Sequence, residues 1–202
     1  MLTVLIAIAA YLLGSISFAV VVSKAMGLPD PRSYGSNNPG ATNVLRTGNK
    51  LAAALTLIGD AGKGARAVGL TVLSTGDSPA SGLDAPLAGA MAFLGHLYPV
   101  FHGFKGGKGV ATAAGVLLSL NLYLGLGTLA TFGIIVFFFR MISLASIISA
   151  VFAVFWAWSL FGFAPITPVV GAISLLLIWR HRENILRLAS GTEPRLGEKK
   201  TP

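Results

Sequence analysis

Two stretches of this sequence, 109–139 and 141–179, contain no Asp, Glu, Lys or Arg. A helix crosses the hydrocarbon of a bilayer in roughly 20 residues, and both runs are longer than that. Residues 1–23 are uncharged as well. Composition agrees with a chain whose solvent is lipid. Hydrophobic residues make up 54% of it, charged residues only 11%, and the mean hydropathy is +0.76, whereas soluble domains carry about 25% charge. Intrinsic disorder and a coiled coil are excluded. The absence of cysteine excludes a disulfide scaffold. An all-α integral membrane protein remains.

The formal charge of +8 acquires meaning from where the charges sit, because Lys and Arg concentrate on the cytoplasmic side. Lys24, Arg32, Arg46 and Lys50 share the first loop; residues 75–84 hold no basic residue; Lys105 and Lys108 follow in the third. If 109–139 were one span, Arg140 and the six basic residues from Arg180 to Lys200 would lie outside. A hairpin turning near Ser119-Leu-Asn121 puts them inside. Phe161-Gly-Phe-Ala-Pro-Ile-Thr-Pro168 divides the last run into two spans. The expectation is seven transmembrane helices in a single membrane domain, 1–202, over about 2–23, 51–74, 85–101, 109–120, 122–139, 141–160 and 165–180. The N-terminus lies outside and the C-terminus in the cytoplasm. Of the 15 basic residues, all but Lys63 and Arg66 then face the cytoplasm, a distribution that gives no reason to expect nucleic acid. A cleaved signal peptide over 1–23 is the rival reading, but the stretch lacks a basic start. No internal repeat is visible, and the tail after Gly191 reads as flexible.

Three polar segments converge on the cytoplasmic end. Ordinary basic connecting loops would satisfy the charge rule alone, yet these are richer than that. In Gly103-Phe-Lys-Gly-Gly-Lys-Gly109, Gly106, Gly107 and Gly109 leave backbone amides without a shielding Cβ. Lys105 and Lys108 add charge, and a helix begins near Val110. Such a combination suits a phosphate. It is not a Walker loop, because Gly109 stands where Ser or Thr would bind magnesium. The first segment, 33–49, offers Ser36, Asn37, Asn38, Thr42 and Asn43 for hydroxyl groups, and Arg46 for a phosphate. Ser36 and Arg46 are its strongest candidates. In the third, His181 and Asn184 are three apart and share a helical face. A lone histidine is more often structural than catalytic; His96 and His102, with no carboxylate at a suggestive spacing, are read as structural. Asp60 and Lys63 in the second span are expected to form an ion pair that fixes helix packing, with Gly59, Gly62 and Gly64 allowing close approach. Asp30, Glu183 and Glu193 are too scattered to hold magnesium, so neither metal nor cofactor is expected.

The sequence resembles the bacterial acyl-phosphate:glycerol-3-phosphate acyltransferases of the PlsY type. The resemblance rests on Gly35-Ser-Asn-Asn-Pro-Gly-Ala-Thr-Asn43 with Arg46, on Gly95-His-Leu-Tyr-Pro-Val-Phe101 running into Phe104-Lys-Gly-Gly-Lys-Gly109, and on His181-Arg-Glu-Asn-Ile185 with Gly191 and Glu193. It spans nearly the whole chain. It implies transfer of a fatty acyl group from acyl phosphate to the 1-hydroxyl of sn-glycerol 3-phosphate. The products would be lysophosphatidic acid and phosphate, in the first step of phospholipid synthesis at the bacterial inner membrane. Ser36, Arg46, Lys108, His181 and Asn184 would form the glycerol-phosphate and reaction site, with Asn38, Thr42, Asn43 and Lys105 as further contacts. Gly106, Gly107 and Gly109 would hold the donor. Its partners would be these two substrates and the bilayer, without an obligatory protein. Either His181 or a substrate phosphate oxygen would take the hydroxyl proton. No histidine is followed by Asp five positions on, so the His-x4-Asp base of thioester-dependent acyltransferases is absent.

A transporter of a phosphate-bearing anion is the rival class, since buried charges and a basic vestibule would suit one. A carrier needs polar access from both sides. Here the outer loops are short and uncharged apart from Asp77 and Asp84. A retinal-type sensor is excluded because the last span has no lysine.

Overall fold

The structure is a computed structural model and describes residues 1–76, 78 and 82–197. Asp77, Lys199 and Lys200, which entered the charge argument, lie outside the described residues. All regular structure among the described residues is helical. The helices are α1 (Leu2–Gly14), α2 (Phe18–Ala25), α3 (Ala41–Val44), α4 (Lys50–Thr75), α5 (Asp84–Leu97), α6 (Val110–Leu120), α7 (Leu122–Phe139), α8 (Ile142–Phe161), α9 (Ile166–Arg180) and α10 (Arg182–Ala189), with short 3-10 turns after α3 and α5. By length and composition, α7 and α8 are each apolar enough to cross a membrane, and the bent pair α1–α2 is so when taken together.

The uncharged run 109–139 does break into two helices. Asn121 is extended, at φ −159° and ψ 130°, and its side chain accepts from the Leu124 amide at 3.1 Å, capping α7. Asn49 caps α4 in the same way through the Ala52 amide at 2.9 Å.

Two expectations about helix continuity are corrected. Residues 2–23 are not one helix: α1 and α2 meet at a bend of 40°. The break leaves the Ile16 carbonyl without a helical partner, and the Lys63 ammonium donates to it at 2.7 Å. The same ammonium lies 3.0 Å from Asp60 Oδ1, which is the expected buried ion pair. The third apolar stretch, read as 85–101, is helical only to Leu97; Tyr98 precedes Pro99, a position that disfavours helical backbone.

α4 is packed against α1, α2, α5 and α6, and the bundle closes through α6, α7, α8, α9 and α5. Close approach is made by glycine. A Cβ on Gly115 of α6 would stand 1.9 Å from the Ala61 carbonyl oxygen of α4, and one on Gly64 of α4 would stand 2.5 Å from that of Thr112. Gly14 and Gly95 join α1 to α5 in the same manner, at 2.1 Å and 2.2 Å from the Ala92 and Tyr11 carbonyls. Lipid tails supply no hydrophobic drive between helices, so such backbone contact is how they associate. The outer faces are apolar instead: Leu73, Phe137, Phe138 and Leu175 are exposed.

Candidate active site

The first loop is built around Asn43. Its amide donates to the carbonyls of Pro31 at 2.7 Å and Tyr34 at 3.1 Å, and its Oδ1 accepts the Ser36 amide at 3.1 Å. Asn43 is buried, so it holds the loop and is not free to contact a ligand, contrary to the expectation for it. Gly35, at φ +62°, lies over Asn43 and Arg46; a Cβ there would stand 2.3 Å from Asn43 Oδ1. The side chains that this loop presents are those of Ser36, Thr42 and Arg46, all exposed, and half-buried Asn38.

The glycine loop corrects a second expectation. The Gly106 amide donates to the Leu97 carbonyl at 3.2 Å and the Gly107 amide to the His96 carbonyl at 3.1 Å. These two amides close the C-terminus of α5 and are not turned to an anion. The opposite edge of the loop is held by Arg180, whose guanidinium donates to the Gly106 carbonyl at 2.8 Å and the Gly107 carbonyl at 3.2 Å. Arg180 also lies over the Tyr98 ring at 5.7 Å. What the segment keeps for an anion is the start of α6, which no side chain caps, together with Lys108. Gly109 turns the chain there at φ +83°. Lys105 is exposed. Pro39 packs near Gly107, its carbonyl 3.1 Å from where a Cβ would be, so the first loop borders the second.

In the third segment, Lys108 donates to Asn184 Oδ1. The Asn184 amide donates in turn to Glu193 Oε1 at 2.6 Å, and that oxygen also accepts from the Ser143 hydroxyl at 2.6 Å. Arg187 Nε donates to Glu193 Oε2 at 2.7 Å. The described part of the tail is therefore pinned at Glu193 and Leu196, contrary to expectation: the Leu196 amide donates to the Arg140 carbonyl at 2.7 Å and Arg140 returns a bond to the Leu196 carbonyl at 2.9 Å. Burial alone would raise the Glu193 carboxyl. The bonds from Ser143, Asn184 and Arg187 outweigh it and hold the group below the usual carboxylate range. Burial, reinforced by Arg187, lowers Lys108.

His181 ends α9 and is buried, with Nδ1 2.8 Å from the Leu177 carbonyl. A carbonyl only accepts, so Nδ1 carries the proton and Nε2 keeps its lone pair. Burial pushes the imidazole down to about 4, with Lys108 adding to it and the Leu177 bond opposing. The neutral form therefore belongs to the folded state. Unfolding returns the group to about 6.5, so its contribution to stability is complete above that pH and is lost as pH falls through about 4. In an NMR titration of imidazole-labelled protein, the His181 signal should stay neutral from pH 7 down to about 5. A midpoint near 6.5 would mean a solvated ring and a different role.

Beside this cluster, helices α6 to α9 line a partly open cavity of about 50 Å³, walled among others by Val110, Leu117, Phe132, Ala153, Ile173 and Leu177. Of the hydroxyls that line it, those of Thr128, Ser146 and Ser149 donate to carbonyls of their own helices, and the wall is mostly apolar. Val110 and Leu177 set one end of it next to Gly109 and His181.

Lys108, His181 and Asn184 thus meet at one place, with Ser36 and Arg46 on the bordering loop. Sequence reasoning missed Arg180, which looks like the end of a span, and Ser143. Glu193 carried only a motif match and emerges as a hub. Among the described residues, no three of His, Asp and Glu converge as metal ligands.

The family described as glycerol-3-phosphate acyltransferase matches residues 4–191. A curated glycerol-3-phosphate acyltransferase of Ralstonia nicotianae (strain ATCC BAA-1114 / GMI1000) is 60% identical over 200 residues, covering 99% of this chain and 97% of the relative. One from Cupriavidus taiwanensis is 61% identical over 203 residues, with 99% of both chains covered. Among solved structures, crystals of PlsY (YgiH), an integral membrane glycerol 3-phosphate acyltransferase, match in the glycerol 3-phosphate form at TM-score 0.90 and 39% identity, and in the lysophosphatidic acid form at 0.88 and 38%. Each covers 98% of this chain and 96% of that one.

Proposed function

This chain belongs to the glycerol-3-phosphate acyltransferase family, and from that premise we propose that it moves a fatty acyl group from acyl phosphate to the 1-hydroxyl of sn-glycerol 3-phosphate. The observation that carries the reading is the junction of two environments. The Lys108–Asn184–Glu193 string and neutral His181 lie beside one end of an apolar cavity, the end formed by Val110 and Leu177. A fatty chain enters the cavity, and its phosphate end stops at Lys108 and the uncapped start of α6. Arg46, a planar fork, grips the phosphate of the acceptor, with Ser36 beside it.

The acceptor hydroxyl attacks the acyl carbon, a new ester C–O bond forms, and the bond from that carbon to the donor's phosphate oxygen breaks. His181 Nε2 accepts a hydrogen bond from the hydroxyl and aims it. An imidazole lowered to about 4 is too weak a base to keep the proton, so the departing phosphate takes it and leaves as hydrogen phosphate. Orientation of this kind supplies on the order of 7–11 kcal/mol of barrier reduction in favourable cases.

The setting is the bacterial inner membrane. The chain forms one domain with seven crossings, the N-terminus outside and the site on the cytoplasmic side. Purified protein in detergent should release lysophosphatidic acid from palmitoyl phosphate and glycerol 3-phosphate, in the presence of EDTA. Equal rates from a palmitoyl thioester would remove the donor assignment, and loss in EDTA restored by magnesium would reveal a metal. In intact cells, single cysteines at Lys50 and Ser190 should resist an impermeant thiol reagent that modifies cysteines at Leu83 and Phe163; the reverse pattern overturns the orientation.

A further inference from the structure

One buried group beside the site has no part in the reaction above. His96 lies near the end of α5, buried, with Nδ1 3.5 Å from Asp60 Oδ1 on α4. Asp60 is itself held by Lys63, whose ammonium also closes the α1–α2 bend. The other edge of the imidazole meets the glycine loop. A Cβ on Gly107 would stand 2.2 Å from His96 Nε2, so the Gly107 backbone rests on the ring. The His96 carbonyl accepts the Gly107 amide as well. Ring and carbonyl of one residue thus support the same glycine, while Arg180 grips the loop from its other edge. Lys108 follows directly.

We propose that His96, backed by Asp60, is a positioning residue that sets the seat of the glycine loop and through it the place of the Lys108 ammonium at the donor phosphate. The proposal rests on the assignment of Lys108 to the donor. A movement of the ring displaces Gly107, and the adjacent lysine loses its register with Asn184. The first loop, which carries Arg46, has its own scaffold in Asn43. Displacement of the glycine loop therefore falls on one substrate more than on the other.

Two measurements on the full chain in detergent test this. In steady-state kinetics, His96→Ala should raise KM for acyl phosphate roughly tenfold or more while KM for glycerol 3-phosphate stays within about twofold. His96→Gln, whose amide puts a nitrogen near the position of Nε2, should restore the donor KM to within about threefold of the parent. Equal rises in both KM values, or no rescue by glutamine, would overturn the proposal. The second measurement needs no turnover. Hydrogen exchange over residues 103–109 should quicken about tenfold in His96→Ala at the Gly106 and Gly107 amides, and return in His96→Gln. Unchanged exchange would refute the seating role even in an active enzyme. Quickened exchange in His96→Ala, with a parent protein that makes no lysophosphatidic acid, would keep the seating role and reject the acyl-transfer reading instead.

Discussion

Gly106→Ala is expected to lower lysophosphatidic acid formation by more than about 100-fold, equivalent to about 2.7 kcal/mol of barrier. The added Cβ would stand 2.1 Å from the His96 carbonyl oxygen and 2.6 Å from that of Leu97. Both atoms are backbone at a helix end, and neither can rotate away. The loop must lift off α5, giving up two amide bonds of about 0.5–1.5 kcal/mol each and the register of its carbonyls with Arg180. Gly107→Ala meets a side chain instead, the His96 ring. The two variants therefore separate in a second background. In His96→Ala, adding Gly107→Ala should cost little more, whereas adding Gly106→Ala should remain severe. Turnover per folded protein in the three single and two double variants checks this, and rescue of both glycine variants by His96→Ala would show that the carbonyl contact is not limiting.

Glu193→Ala should be nearly as damaging, although its carboxylate is engaged by the protein. It accepts from Asn184, Ser143 and Arg187, and the two buried bonds, from Asn184 and Ser143 to a charged acceptor, contribute about 1.5–3 kcal/mol each. Removing it leaves the buried Asn184 amide without an acceptor and frees the residue that receives Lys108. A fall of about 100-fold in turnover is expected. Glu193→Gln keeps one carbonyl oxygen for Asn184 and Ser143 and should cost about tenfold or less. Arg187→Ala should do little, because the Arg187 side chain is 40% exposed and exposed ion pairs contribute only about 0–1 kcal/mol. If Arg187→Ala matches Glu193→Ala, the ion pair rather than the Asn184 bond is the working contact.

What could be read from the residues divides along a physical line. The break at Asn121 was legible because a cap is a local device, needing one side chain and an amide three residues on. The Asp60–Lys63 pair was legible for the same reason. The bend at Ile16 was not, since the ammonium that makes it tolerable comes from α4. His96 looked structural while its carboxylate was sought along its own helix, whereas Asp60 is supplied by another. Gly106 and Gly107 do leave no room for a Cβ, but what fills the space is the protein itself, the α5 carbonyls at Gly106 and the His96 ring at Gly107, and not a phosphate. Their amides answer carbonyls that a helix end leaves open, and that demand becomes visible only when α5 is seen to stop at Leu97. The polar tail was misread because composition reports solubility, and a single glutamate with three donors around it changes a loose end into a strap.

That strap fixes an order of events during synthesis. Glu193 follows every helix of the bundle in the chain, yet it anchors Asn184, which in turn receives Lys108. Asn184 therefore waits for a carboxylate made nine residues after it, when every apolar helix has already been made. Before then Lys108 and Asn184 have no carboxylate to fix their relation, so the string closes late, after the helices it joins have been made.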